Sequence, residues 1–375
     1  MKIRLLYSNE LQQAADLSDL VFGKPGQPSM GKSFPALFYP GVSHSYGAFT
    51  DEGELVAFMG LAPDVVRIGE ARLNVFSIGS VCTHPDFRGQ NLASTLLAEC
   101  MDHARRSGAS LVFVSGGRSL YRRAGCYDFG RVHYAMLDSG SAAALLQADT
   151  DEWSISPMRP EDTFGISAIL SGASPAYEQG PAQLLTLLGS SAIADITMMR
   201  QETLTARKDG AIAAFLAAAV PTAPESSPSG EPAKAVEWGG HPEAVARLLA
   251  EMLQRHQIQR LEVPVPWQEQ ALLKLLQQAG AAVQSGPNSG TVWIADAHSL
   301  LTQCSPLFKV DWKSFIRIDE AGGRSYTVTN KGQELVLDDS GLLSLLFDPE
   351  SPHLAGAPED FCTIPLPYLS GLHYI

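Results

Sequence analysis

Residues 76–94, FSIGSVCTHPDFRGQNLAS, join a short apolar strand to a helix through a turn rich in arginine, glycine and asparagine. Residues 77–83 carry the small and β-branched side chains of a strand buried on both faces, and residues 92–106 have apolar side chains at helical spacing. A helix start presents unpaired N–H groups and a positive partial charge, so small side chains in the turn let an anion approach the main chain. Arg88 adds a permanent positive charge. The turn therefore predicts a phosphate ligand, and a pyrophosphate in particular.

The turn differs from two common phosphate-binding loops, and many strand-turn-helix joints bind nothing. It lacks the Gly-Lys-Ser/Thr ending of nucleotide-hydrolysing loops and the Gly-x-Gly-x-x-Gly spacing of dinucleotide folds. It resembles instead the acetyl-coenzyme A signature of the GNAT N-acetyltransferases, which is Arg/Gln-x-x-Gly-x-Gly/Ala after a strand. Asn91 stands where that family usually has glycine, and asparagine tolerates positive φ better than most residues. The resemblance implies that the coenzyme is bound by the consecutive residues Arg88, Gly89, Gln90, Asn91, Leu92, Ala93 and Ser94.

Composition narrows the class of protein. With 375 residues, 45% hydrophobic and 18% charged, the chain is expected to form two or three globular domains. It has no long apolar run and no secretory start, so a cytoplasmic location is expected and no membrane association. Five scattered cysteines without Cys-x-x-Cys, and nine histidines without His-Glu-x-x-His, predict reduced thiols and no metal. A net charge of −13 argues against nucleic acid and favours a cationic small molecule.

A second motif lies just beyond the helix. Residues 110–115 have the pattern of a buried strand, and Gly116 and Gly117 follow it. Residues 119–130, SLYRRAGCYDFG, resemble the Tyr-x-x-x-Gly-Phe/Tyr motif that closes the GNAT core. The resemblance implies a coenzyme-binding role for the two glycines and a general-acid role for Tyr121. A tyrosine that only packs in the core is the alternative.

Transfer of an acyl group to an amine requires a neutral amine, a donor for the developing oxyanion, and a proton for the departing thiolate. The resemblance implies that the strand at residues 79–83 splays from its neighbour, so that main-chain groups of Val81 and Thr83 pair with the pantetheine arm and the Val81 N–H reaches the thioester oxygen. Cys82 and Cys126 have no matched histidine and aspartate, and we interpret them as packing residues.

Arginines cluster after the turn. Arg105 and Arg106 have the positions of a solvated helix face, whereas Arg118, Arg122 and Arg123 lie in the segment expected near the phosphate turn. The second group favours local anion binding. Residues 131–137 are expected to supply the last strand of this first sheet, in the order of elements found in the family.

The middle of the chain repeats the same order of elements. Residues 153–172 have a strand and then a helix, residues 236–240 a strand, residues 242–257 an amphipathic helix, and residues 261–284 a strand, a helix and a strand. We interpret this as an internal duplication. Its helix opens with Gly239-Gly240-His241-Pro242, without the Arg-x-x-Gly turn, so the second copy is predicted not to bind coenzyme A. Residues 220–235, rich in proline and serine, are predicted to be a mobile loop.

The last segment has a different pattern, with a helix, three alternating strands and an apolar helix at residues 297–347. It resembles the sterol carrier protein-like domain of the three-domain, Eis-like acetyltransferases. A lipid cavity and plain core packing both fit its leucines. In that subgroup the terminal carboxylate acts as general base, so the resemblance implies this role for Ile375, at the end of an extended apolar tail.

The sequence thus predicts an α/β (α+β) protein with tandem GNAT folds around mixed central sheets and a C-terminal α+β sterol carrier protein-like domain. The expected domains are residues 1–150, catalytic, 151–295, a degenerate copy, and 296–375. The expected function is direct transfer of acetyl from acetyl-coenzyme A to a primary amine of a small cationic acceptor, such as an aminoglycoside-like molecule or a polyamine. A non-catalytic module that binds coenzyme A or lipid is the alternative, and homo-oligomerisation stays open.

Overall fold

The computed structural model describes residues 1–148, 153–222, 231–319 and 324–375. The chain forms two compact units. Unit 1 contains Met1–Gly130, Pro287–Leu369 and Ile375, and unit 2 contains Arg131–Gly286 and Ser370–Tyr374. The predicted division into three domains, at residues 150 and 295, stays a prediction.

The strands of the described residues are β1 (Lys2–Leu5), β2 (Tyr46–Phe49), β3 (Leu55–Ile68), β4 (Ala71–Thr83), β5 (Leu111–Val114), β6 (Val132–Leu137), β7 (Ser154–Pro157), β8 (Ala176–Tyr177), β9 (Arg200–Lys208), β10 (Ala211–Val220), β11 (Ala233–Gly240), β12 (Leu261–Pro266), β13 (Ala282–Gly286), β14 (Thr291–Ile294), β15 (Ile316–Asp319), β16 (Ser325–Asn330) and β17 (Gln333–Leu337). The helices are α1 (Leu11–Phe22), α2 (Met30–Ser33), α3 (Pro35–Phe38), α4 (Leu92–Arg106), α5 (Ser119–Arg123), α6 (Ser139–Ala148), α7 (Thr163–Gly172), α8 (Pro181–Ser190), α9 (Ala192–Ile196), α10 (Pro242–Arg255), α11 (Gln270–Gln278), α12 (Ala297–Cys304) and α13 (Asp339–Phe347).

The main sheet of unit 1 has the order β1-β2-β3-β4-β5-β14. Neighbouring strands are antiparallel except β4 and β5, which are parallel, so the sheet is mixed as predicted. The apolar face of α4 packs on this sheet through Leu96, Leu97 and Cys100, which meet Ile78 and Val114 in one buried cluster. The predicted helix at residues 92–106 therefore holds the predicted strand from one side.

Residues 23–43, expected to be loose, contain the helices α2 and α3. Their apolar side chains are buried: the Phe38 ring stacks on Phe58 of β3 with a centroid distance of 5.3 Å, and Leu37 covers Gly60. The glycines and prolines of this segment hid the helices from the sequence pattern, because burial against β3 rather than helical periodicity stabilises them.

A three-stranded antiparallel sheet, β15-β16-β17, lies with α13 in the last part of unit 1. These strands and both helices, α12 and α13, were predicted in this order. Leu342, Leu343, Leu345 and Leu346 of α13 have no exposed surface, as core packing requires. The likeness to a sterol carrier protein stays a prediction.

Unit 2 has a sheet of the order β13-β6-β12-β11-β10-β9-β7, in which only β11 and β12 are parallel. The predicted strands and helices of the duplication are present. The expectation that residues 131–137 complete the first sheet is wrong, since β6 pairs along its whole length with β12 and β13. β14 pairs with β5 instead. Of the loop predicted at residues 220–235, residues 223–230 lie outside the described residues.

Candidate functional site

The parallel pairing of β4 and β5 stops partway along β4. The last pair is Ile78 with Val114, and the next residue, Ser115, donates its N–H and its hydroxyl to the Ile78 carbonyl at 3.1 and 3.2 Å. Beyond this point, residues 79–83 pair with β3 only, among the residues that the structure describes. An unpaired strand edge offers main-chain donors and acceptors to a ligand. The splay predicted for this strand is therefore present.

A β-bulge interrupts the same part of β4. Gly79 faces Gly60 and Cys82 faces Phe58, so Ser80 and Val81 together stand opposite one residue of β3. Ser80 has φ of +49°, in the left-handed region. A bulge of this kind increases the local twist and changes the direction in which its residues present their main-chain groups. The bulge therefore determines where the Val81 N–H is directed.

The turn after β4 leaves its backbone N–H groups open. Gly89 has φ of +79° and Asn91 has φ of +59°, directly before α4. The N–H groups of residues 89–94 have no acceptor among the described residues, and no side chain caps the helix. The Arg88 side chain is exposed and donates from Nε to the Thr83 carbonyl at 3.4 Å. The open N–H groups and the cation form a surface suited to a diphosphate.

Tyr121 lies on α5, a short helix after β5, and is buried. Gly116 lies beside its ring, since a Cβ built on that glycine would be 3.7 Å from Tyr121 Cε2. A Cβ on Gly117 would be 3.4 Å from Arg122 Nη2, and Arg122 itself pairs with Asp128 at 2.5 Å. The motif after β5 thus packs against the point where β4 and β5 separate.

The carboxyl group of Ile375 lies against Gly79. A Cβ on that glycine would overlap the carboxyl carbon and oxygen of Ile375, so only glycine permits this approach. Ile375 is buried. The preceding tail is held in unit 1 by Asn288, whose side chain donates to the Pro367 carbonyl at 2.9 Å and accepts from the Leu369 N–H at 3.1 Å. The structure therefore brings the chain terminus to the separation of β4 and β5.

In unit 2, residues 370–374 have their own anchors. The Leu372 N–H donates to Glu237 Oε2 at 3.1 Å, and the His373 ring stacks on Tyr177 with a centroid distance of 3.8 Å. Desolvation raises the pKa of Glu237, although the Leu372 N–H and the nearby His373 oppose this. Sequence reasoning missed Asn288 and Glu237, because neither lies in a motif and each binds tail residues far along the chain.

The thiols are placed as packing residues. Burial raises the pKa of Cys82 to about 11 and that of Cys126 to about 12, so both remain protonated at neutral pH. On the surface, Arg105 and Arg106 both pair with Asp102, which confirms their expected place on a solvated helix face. In the four described ranges of the chain, no three metal-ligating side chains come together, and no helix is long and apolar enough to span a bilayer.

Comparisons with known proteins agree with this architecture. Residues 2–129 match the sequence model of the acetyltransferase (GNAT) domain. No curated protein sequence matches the chain. Among solved structures, a GCN5-related N-acetyltransferase from Anabaena variabilis has a TM-score of 0.66 at 14% identity, with 95% of this chain and 93% of that chain covered.

Two further structures are similar over most of their length. Eis1 from Mycobacterium abscessus has a TM-score of 0.61 at 16% identity, covering 92% of this chain and 89% of its own. A probable N-acyltransferase from Enterococcus faecalis has a TM-score of 0.63 at 14% identity, covering 91% and 85%. At such identities the likeness concerns the fold. The chain therefore has a GNAT fold, and its residues 2–129 correspond to the acetyltransferase domain of that family.

Proposed function

We propose that this protein is an acetyl-coenzyme A-dependent N-acetyltransferase that acts on a primary amine of a small cationic acceptor. The observation that carries the proposal is the position of the Ile375 carboxyl group against Gly79, at the separation of β4 and β5. A carboxylate at a strand edge next to an open anion-binding turn combines a base with a site for the coenzyme. The GNAT match over residues 2–129 supports the same reaction class.

The residues of the turn fit the diphosphate of the coenzyme. Seven consecutive residues contribute open N–H groups, small side chains or a cation: Arg88, Gly89, Gln90, Asn91, Leu92, Ala93 and Ser94. Along the splayed strand, the main-chain groups of Val81 and Thr83 pair with the pantetheine arm. Gly116 and Gly117 border the same separation from the side of β5. The carbonyl of the acetyl group is then held against the bulge of β4.

The thioester supplies the activated acetyl group. The carboxylate of Ile375 accepts a proton from the amine, which must be neutral to attack. The Val81 N–H donates to the acetyl oxygen and stabilises the negative charge that develops on it. Tyr121 donates its phenolic proton to the departing sulfur, since a phenol with a pKa near 10 stays protonated at neutral pH. The transfer is direct, because the buried thiols of Cys82 and Cys126 have raised pKa values and no nucleophile is required.

The acceptor class is proposed from charge. A protein with a net charge of −13 attracts cations and repels polyanions. An aminoglycoside-like molecule or a polyamine has primary amines and a positive charge. These acceptors therefore suit both the reaction and the field of the protein.

The test is an assay of free thiol release from acetyl-coenzyme A with a panel of amines, including spermidine, an aminoglycoside and a neutral primary amine. The wild-type protein is expected to release thiol with cationic amines. The Tyr121→Phe variant keeps the ring and loses the proton, so kcat is expected to fall about a hundredfold, within the range for a general acid. Calorimetry is expected to show little change in its coenzyme affinity.

Two outcomes would contradict the proposal. Coenzyme binding without thiol release from any amine would support a non-catalytic binding module instead. Absence of coenzyme binding would remove the site itself. A Tyr121→Phe variant with full kcat would leave the acetyltransferase reaction standing and remove only the role of the tyrosine.

A further inference from the structure

Ser80 has a backbone conformation that is unusual for its type. It occupies the first position of the bulge in β4 with φ of +49°, where bulges of this kind usually have glycine. A side chain in the left-handed region is strained by the clash of its Cβ with the main chain. Such a conformation persists only where the surrounding structure holds it.

Ser18 supplies the contact that holds Ser80. It lies on α1, which packs on β3 and β4, and its side chain has no exposed surface. The Ser80 hydroxyl donates to Ser18 Oγ at 3.2 Å. Ser18 Oγ also lies 3.7 Å from Cys82 Sγ, and because its lone pairs serve Ser80, its own proton is directed to the sulfur.

One hydroxyl thus contacts both residues that flank Val81 in the sequence. Burial raises the pKa of the Cys82 thiol to about 11, so the sulfur stays neutral and is a weak acceptor. A hydrogen bond out of contact with water gives a net stabilisation of the same order as the backbone strain that it offsets. The three side chains therefore fix the bulge on both sides of Val81.

We infer that Ser18 is a positioning residue of the acyl-transfer site: through Ser80 and Cys82 it fixes the bulge that directs the Val81 N–H toward the thioester oxygen. The inference rests on the proposed function. Ser18 touches neither the coenzyme nor the acceptor in this arrangement. It acts on the rate, because an oxyanion donor stabilises charge only when it is held in the correct direction before the reaction.

Substitutions at Ser18 and Ser80 separate the hydroxyl from the backbone conformation. Ser18→Ala and Ser80→Ala each remove the hydrogen bond and keep the strain, so kcat is expected to fall about tenfold with little change in KM for acetyl-coenzyme A. Ser80→Gly removes the hydroxyl and the strain together, because glycine accepts positive φ. It is expected to keep kcat within about threefold of the wild type, and the double variant Ser18→Ala/Ser80→Gly is expected to behave like Ser80→Gly alone.

Ser110→Ala is the matched control. Ser110 is also fully buried, and its hydroxyl also bonds to β4, but to the Asn74 carbonyl at the other end of the strand, at 3.2 Å. This variant is expected to lose stability like Ser18→Ala and to keep kcat. A kcat loss in Ser110→Ala equal to that in Ser18→Ala, or a double variant as slow as Ser18→Ala, would overturn the inference.

Hydrogen exchange gives a readout that does not need activity. In Ser18→Ala, amide deuterium uptake in the peptide that covers residues 79–83 is expected to rise, and in Ser110→Ala it is expected to stay as in the wild type. Unchanged uptake in Ser18→Ala would overturn the positioning role. A wild-type protein that releases thiol with no amine, but shows this exchange difference, would contradict the proposed function and leave the link between Ser18 and the bulge intact.

Discussion

Each GNAT-type sheet of this protein has a single parallel pair of strands, and the two pairs end differently. In unit 1, β4 and β5 pair through Ile78 and Val114 and then separate, leaving residues 79–83 with an open edge. In unit 2, β11 and β12 pair only at their starts, and further along Trp238 Nε1 donates to the Pro264 carbonyl at 3.2 Å. The indole therefore occupies a main-chain acceptor that a ligand would need.

The helices after these strands differ in the same sense. The N–H groups at the start of α4 are open, whereas in unit 2 the His241 N–H donates to the Ala213 carbonyl and Pro242, the first residue of α10, has no N–H at all. Glu243 adds an acidic side chain to the first turn. The comparison teaches that the shared fold supplies the strand separation and the helix start, while a few side chains decide whether an anion can bind there.

The sharpest way to break the comparison is to remove Ile375, since only unit 1 has a chain terminus at its strand separation. A general base contributes about a hundredfold to ten-thousandfold to the rate, so kcat of the shortened protein is expected to fall about a thousandfold. Coenzyme affinity, measured by calorimetry, is expected to persist because the turn before α4 is untouched.

Ile375→Val is the matched control for this deletion. It shortens the side chain and keeps a terminal carboxylate after the same number of residues. It is expected to lose far less activity than the deletion. Equal losses in the two variants would show that the side chain of Ile375, rather than its carboxylate, is what the site requires.

Gly79→Ala tests the same carboxylate from the other side. The new Cβ would overlap the Ile375 carboxyl group and displace it, so kcat is expected to fall about a hundredfold, less than on deletion because a displaced base retains part of its effect. In the background of the Ile375 deletion, Gly79→Ala is expected to cost little more. A full additional loss in that background would mean that Gly79 acts on the strand and not on the terminus.

A pair of glycines compares the two helix starts. Gly89 has φ of +79° with open space around a built Cβ, so Gly89→Ala strains only the backbone, by about 1–2 kcal/mol, and coenzyme affinity is expected to fall about tenfold. Gly240, with φ of +106°, lies against the main chain of Ala213. Gly240→Ala is expected to lower the melting temperature and leave coenzyme affinity unchanged. A drop in affinity in the second variant would contradict a single binding turn.

Local sequence carried the first site well and the rest poorly. The splay of residues 79–83, the positive φ of Asn91 and the helix α4 depend on neighbours within a few residues, and each was predicted. The partners of β6 and the buried helix α3 depend on which distant strands they meet, so periodicity could not determine them. The tail anchors Asn288 and Glu237 gave no local signal at all, since each acts on main-chain groups more than 70 residues away.

The smallest expected effect concerns the tail anchor of unit 2. Desolvation raises the pKa of Glu237 in the folded protein, where its carboxyl accepts the Leu372 N–H. Below the ordinary pKa of a carboxyl group, Glu237 is protonated in both states. As the pH rises, the unfolded chain releases this proton first, so the folded state holds more protons and the free energy of unfolding falls. Glu237→Gln keeps an acceptor and has no proton to release.

The melting temperature of Glu237→Gln relative to the wild type is therefore expected to rise between acidic and neutral pH, by roughly 2–4 °C in thermal unfolding. Glu251 on α10 is a control of opposite sign. Burial raises its pKa, but hydrogen bonds from Arg247 and Arg255 outweigh this and the net pKa is lowered. Its ionised form thus adds stability that is lost in acid, so Glu251→Gln is expected to lose stability relative to the wild type over the same rise in pH. Parallel rather than diverging curves for the two variants would mean that the charge of Glu237 costs the folded tail nothing.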